Sequence, residues 1–135
     1  MMESDAFPES WAILRRPYMR DLLLAYLRDL SDSKYREEQW RNPRTDPDLA
    51  YHTLDNTLKE VIDIRGYDID EYIDAAIGGE LFDMAEASAI KRLCHTLVGI
   101  MGCLQNAHDA AYLDHPEWPK VISEANEAYQ LMHER

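Results

Sequence analysis

Between Asp83 and Ala111 apolar residues return every three or four positions, at Ala87, Ile90, Cys94, Leu97, Met101, Leu104 and Ala111. An α-helix turns once in about 3.6 residues, so this spacing gathers them into one stripe that has to be buried against other elements. A strand would need alternation in twos, and no stretch of the chain shows it convincingly. Leu93, Val98 and Ile100 add apolar surface on other sides, which predicts a long central helix around residues 84–113 surrounded by neighbours. Asp83, with Glu86 three residues on, has the form of a capping box at its head. Gly99 and Gly102 weaken a helix interior, and the use expected for them is close approach by another backbone.

The remaining segments carry the same period with breaks between them. Pro17 suits a first helical turn, and Met19, Leu22, Leu23, Tyr26, Leu27 and Leu30 follow at helical steps until Ser31-Asp32-Ser33. That break caps a shorter helix, about Lys34 to Arg41, with Tyr35 and Trp40 for packing, and Asn42-Pro43 ends it. Asp46-Pro47 opens a third helix, with Leu54, Leu58, Val61 and Ile62 on one face up to Gly66. Asp68 and Glu71 resemble another capping box, starting a short helix through Ile69, Tyr72, Ile73 and Ile77 that Gly78-Gly79 stops. After Asp114-His115-Pro116, a last helix begins at Pro116-Glu117-Trp118 with Val121, Ala125, Ala128 and Met132 on one side. The fold expected is all-α: one domain, an irregular or orthogonal bundle of five or six helices, with residues 1–16 a loosely ordered N-terminal segment.

The start carries Glu3, Asp5 and Glu9 and lacks the basic-then-apolar order of a secretory signal. The longest aliphatic cluster, Leu22 to Leu27, falls far short of the roughly 20 residues that span a bilayer, so a cytosolic protein is expected. Cys94 and Cys103 lie nine positions apart on the expected central helix, about 13 Å, too far for a disulfide. Both read as reduced, buried small side chains.

A search for chemistry returns little. The five glycines match neither a P-loop nor a dinucleotide pattern. Cys94 and His95 are neighbours, but adjacent side chains on a helix point about 100° apart and cannot form a catalytic pair. An EF-hand counted from Asp68 would place Ile73 where glycine is required. His108 and His115, seven apart around Tyr112, lack the accompanying ligands of a zinc or di-iron site. No catalytic residue, metal or cofactor is expected.

Acidity is the remaining signal. The net charge of −12 disfavours nucleic acid and anionic membranes as partners and permits a basic protein. Residues 45–90 hold twelve acids and two bases, whereas residues 1–44 hold eight of each. From Asp68 to Glu86 seven acids occur with no lysine or arginine, and their mutual repulsion calls for a partner or a cation to relieve it. Part of the run is accounted for by helix N-termini, where Asp68, Glu71, Asp83 and Glu86 would sit favourably. The functional reading is a docking face for a cationic protein, formed by Asp68, Asp70, Glu71, Asp74, Glu80, Asp83 and Glu86, with Tyr67, Tyr72 and Phe82 as anchors inside the charged rim.

Four motifs taken together, Arg16-Pro17-Tyr18-Met19-Arg20, the Leu30-Ser31-Asp32 break, Gly79-Glu80-Leu81-Phe82-Asp83 before a long helix, and His115-Pro116-Glu117-Trp118, carry a resemblance over residues 17–133. The chain resembles the small helical bacterial immunity proteins of polymorphic toxin systems, including those of contact-dependent growth inhibition. The resemblance implies a cytosolic, non-enzymatic protein that binds one cognate toxin domain, often a nuclease, and blocks its active site or substrate groove. It carries no contact residues with it. A helical regulatory or adaptor subunit for a basic host protein is the alternative, and a metal-dependent helical enzyme is a third possibility.

Overall fold

The computed structural model describes residues 7–31, 58, 61–62, 65–104 and 109–135. Among them a 3-10 turn, Glu9–Ile13, precedes five α-helices: α1 Pro17–Ser31, α2 Asp70–Ala75, α3 Met84–Leu104, α4 Asp109–Leu113 and α5 Trp118–His133. The protein is all-α. The only bridge among the described residues is an isolated one between Ile77 and Leu81, in the loop that joins α2 to α3. No helix among the described residues is long and apolar enough to cross a membrane.

Alternation of large and small side chains sets the packing order. The buried stripe of α5 is Trp118, Val121, Ala125, Ala128 and Met132, the last four as the sequence pattern predicts, and its two alanines let neighbouring helices come close. Among the described elements α1 packs against α5 more extensively than any other pair, and α5 in turn lies on α3. Thus α5 sits between α1 and α3, while α2 and α4 lean on α3. On α1 the buried positions are Arg20, Leu23, Leu27 and Leu30. The inward face is therefore turned from the one expected: Leu22 is exposed, Met19 is half-buried, and an arginine occupies the apolar stripe.

Several other expectations are corrected. Residues 7–16 are not a loose tail, because Trp11 and Leu14 are buried and the N–H groups of Arg15 and Arg16 donate to the carbonyls of Gly78 and Gly79 at 2.9 and 3.1 Å. Gly78 adopts φ +89, open to glycine at little steric cost, and this ends the α2 segment as anticipated. A Cβ on Gly99 or Gly102 would meet no atom of the described residues within 4 Å, so neither marks a close backbone approach. Val98, Gly99, Gly102 and Cys103 instead form an exposed strip on the second half of α3. Cys94 is buried and Cys103 is exposed, and both thiols are free. Residues 105–108, inside the expected helix of residues 84–113, lie outside the described residues. So do the expected helix Lys34–Arg41 and most of Asp46–Gly66, of which Leu58, Val61 and Ile62 belong to the core.

Candidate functional site

The acidic run Asp68–Glu86 folds as a turn, α2, a tight glycine loop and the head of α3, and this path sends its carboxylates in two directions. Two point inward. Glu86 is wholly buried, and its carboxylate receives both guanidinium nitrogens of Arg20 at 2.8 Å in a bidentate pair whose partners are each 0% exposed. The Phe82 N–H also donates to Glu86 at 2.8 Å, and Arg135 approaches its second oxygen at 3.3 Å. The two terminal nitrogens of Arg20 also donate to the carbonyls of Glu80 and Met132, at 3.1 and 3.0 Å, its Nε meets no acceptor among the described residues, and the guanidinium lies over the Phe82 ring at 4.4 Å. One residue thereby ties together α1, the glycine loop, the head of α3 and the tail of α5.

Glu80 is buried beside it. It accepts the Tyr67 hydroxyl at 2.6 Å and pairs with Arg16 at 2.8 Å, and the Arg65 guanidinium stands 3.7 Å away. A Cβ at Gly79 would fall inside the Arg16 guanidinium, so glycine at that position is what lets Arg16 reach across the loop to Glu80. Burial, and then donation to a carboxylate, push the Tyr67 hydroxyl far above the ordinary tyrosine range. Tyr67, Glu80 and Glu86 therefore do not belong to a surface, and the expectation that they line a docking face is corrected: cations from distant parts of the chain draw them inside. Phe82, half-buried under Arg20, is committed to the same cluster.

The other carboxylates stay at the surface, and most find partners. Asp83 stands immediately before α3 and accepts the Glu86 N–H at 3.1 Å, one half of the anticipated capping box; the reciprocal half is absent, since Glu86 turns to Phe82 and Arg20. Its other oxygen takes Arg135 at 2.6 Å. Burial alone would raise the Asp83 carboxyl, but the Glu86 N–H, the Arg135 guanidinium and the Ala85 N–H outweigh it and hold the group below the usual carboxylate range. A group depressed in the folded state adds stability that is present above its unfolded value and is lost as pH falls through the folded one. The acid limb of a urea-midpoint profile below about pH 4 is accordingly expected to be shallower in Asp83→Asn, which keeps a cap but cannot titrate.

Asp74 pairs with Lys91 and Asp70 with His95, each at 2.7 Å, and these two links run antiparallel between α2 and α3. Hydrogen bonding to Asp74, followed by its charge and that of its acidic neighbours, raises the Lys91 ammonium. The capping box expected at Asp68 and Glu71 is not formed: α2 starts at Asp70, and Ile69 occupies the cap position without a side-chain bond. Asp68 and Glu71 are left exposed with no hydrogen bond or ion pair to any described residue.

Beside them in the chain stand two exposed apolar residues. Ile69 is 41% and Tyr72 55% exposed, although Ile73 next to them is fully buried. Gly66, at φ +73, sits directly under the Tyr72 ring, where any Cβ would collide with it. The glycine thus seats the ring against the backbone with its outer side in solvent. Ile69 had been grouped by periodicity with the buried face; its exposure follows from its place outside the first turn of α2. Among the described residues no group of three or more histidine, cysteine, aspartate or glutamate side chains is arranged to hold a metal ion. Burial and the nearby Asp70 and Asp68 push the Cys94 thiol up to about 12, so it stays protonated, while His95 points out to solvent.

The model of a family described as Domain of unknown function (DUF7945) matches residues 14–135. The chain belongs to this family. The DUF7945 match contains both members of each buried pair, from Arg16 and Arg20 to Glu80 and Glu86, together with Arg135. No curated protein and no solved structure matches the chain.

Proposed function

We propose that this DUF7945 protein is a non-enzymatic binding protein that acts as an immunity protein, neutralising a basic toxin domain through the outer side of α2. The observation that carries this reading is the pairing of two solvent-facing apolar side chains, Ile69 and Tyr72, with two exposed carboxylates, Asp68 and Glu71, that have no ion pair among the described residues. An apolar centre inside a charged rim suits a protein contact, in which the centre slows dissociation and the charge speeds encounter with a cationic partner. The net charge of −12 extends the same field over the whole chain. The toxin as partner, often a nuclease, rests on the resemblance of the four sequence motifs. Blocking of an active site or substrate groove follows from it, since a site that attracts phosphates attracts carboxylates.

The test uses the domain encoded immediately upstream, purified and measured for association with the protein at several salt concentrations. Charge reversal at Asp68 and Glu71 is the informative change, because Asp70, Asp74 and Asp83 already serve internal pairs. The double variant is expected to associate about tenfold more slowly with a flatter salt dependence, and Tyr72→Ala to dissociate faster. Growth protection against that domain should fall in parallel. Unchanged rates in both variants would reject the α2 face, and absence of binding by the parent protein would reject the toxin as partner.

A further inference from the structure

Residues 8–13 precede the stretch that the DUF7945 model matches, and among the described residues one side chain holds them to the bundle. Pro8, Glu9, Ser10 and Ala12 are exposed and Ile13 is 78% exposed, whereas Trp11 is 5% exposed. The 3-10 turn they form packs extensively on no other described element. Its side-chain hydrogen bond, from the Ser10 hydroxyl to the Arg135 carbonyl at 2.8 Å, lies at the surface, where water competes for both groups.

Trp11 is an incomplete anchor. Its ring stacks on Phe7 at 5.5 Å and has the Arg20 guanidinium 5.2 Å from its centre, but it also borders a cavity of about 390 Å³ whose other walls include Leu24, Ala25, Tyr129 and His133. Across that space it has no atoms to pack on, and the dispersion contact of a filled core is forfeited there. The indole N–H is buried with no acceptor among the described residues, so closure gives up a bond to water and gains none in return. The attachment changes at Leu14. That residue is buried, and the Arg15 and Arg16 N–H groups that follow it are bonded to the carbonyls of Gly78 and Gly79, far along the chain. The bonds within the turn, from the Trp11 N–H to Pro8 and from the Leu14 N–H to Trp11, each at 3.0 Å, are local, and a lone 3-10 turn does not persist without packing.

We infer that residues 8–13 form a detachable strap, a conformational device that pivots at Leu14 and opens while the five helices stay packed. Closed, the strap roofs the cavity and covers the Arg20 guanidinium. Open, it gives the Trp11 indole to water and turns the cavity into a groove along α1 and α5. Arg20 keeps its bonds to Glu86 and to the carbonyls of Glu80 and Met132 in both states, so opening does not unlock the bundle. The device shares no residue with the α2 face and is independent of the partner proposed for it.

Native-state hydrogen exchange on the full chain tests this amide by amide. The Trp11 and Leu14 amides are expected to exchange about a hundredfold faster than those of Arg15 and Arg16, at a rate that low urea leaves unchanged because opening exposes little surface. Trp11→Ala should erase the protection of the Leu14 amide and keep that of Arg15 and Arg16. It should also lower the urea midpoint less than Trp118→Ala, which removes a tryptophan whose indole N–H is likewise unpartnered among the described residues but which belongs to the buried stripe of α5. A Trp118→Ala chain that does not fold meets this expectation. The inference is overturned if the four amides exchange together with one urea dependence, or if Trp11→Ala lowers the midpoint as much as Trp118→Ala or prevents folding.

Discussion

Replacing Arg20 by methionine is expected to lower folding stability by about 3–5 kcal/mol, read from urea denaturation followed by circular dichroism. The size comes from what is left behind. Glu86 is fully enclosed, and without Arg20 its carboxylate keeps, among the described residues, the Phe82 N–H and a longer contact to Arg135 at 3.3 Å. The carbonyl of Glu80 loses the Arg20 donor as well, whereas that of Met132 keeps the Arg135 N–H at 3.3 Å. Removing both charges in the double variant Arg20→Met with Glu86→Leu is expected to cost less than Arg20→Met alone. An apolar pair of similar volume replaces a desolvated ion pair at little penalty, and the remaining loss is that of the backbone bonds to the two replaced side chains. A loss below about 1 kcal/mol in the single variant would mean that the pair is open in solution.

The second large effect is expected at Glu80. Glu80→Gln should cost about 2–3 kcal/mol in the same assay, because a neutral amide can still accept from Tyr67 but no longer balances two guanidinium groups. Arg65 is the reason the cost is high: its side chain is 2% exposed, and its Nε has no hydrogen-bond partner among the described residues. Arg16, 38% exposed, is served by water and limits the loss. Tyr67→Phe, which removes one donor and no charge, should cost about 1 kcal/mol. Association with a basic partner through α2 should be unchanged in Glu80→Gln, since Glu80 is buried and its charge is already matched by arginines. Slower association in that variant would return Glu80 to the docking face.

These two positions also show where sequence reasoning stops. Helix period, capping residues and glycine breaks located α1, α3 and α5, because burial of an apolar stripe is written locally in the chain. The stripe of α5 was read from Val121 to Met132, without Trp118. The fate of the acidic run was not, since it depends on residues far away: Arg16 and Arg20 on one side and Arg135 on the other supply the cations that the run lacks. A count of charge along the chain therefore mistook an internally balanced cluster for an exposed one. A signal was present. Arg20 lies in register with Leu23, Leu27 and Leu30, and Glu86 with Ile90, Leu93 and Leu97, and a charge on an apolar stripe demands an opposite one across the core. The exposure of Ile69 and Tyr72 has no such signal, because an apolar residue at the edge of a short helix is equally compatible with either side.

The packing order has a consequence for how the chain is made. Among the described elements α1 finds its main cover on α5, and the Arg20 guanidinium reaches Met132, 112 positions further on. During vectorial synthesis the apolar stripe Leu23, Leu27 and Leu30 therefore leaves the ribosome long before its counterpart exists. At about 5–20 residues per second the wait lasts several seconds. Closure of the core waits for α5, and a nascent α1 with a cation set among its leucines is less adhesive in that interval than an all-apolar stripe would be.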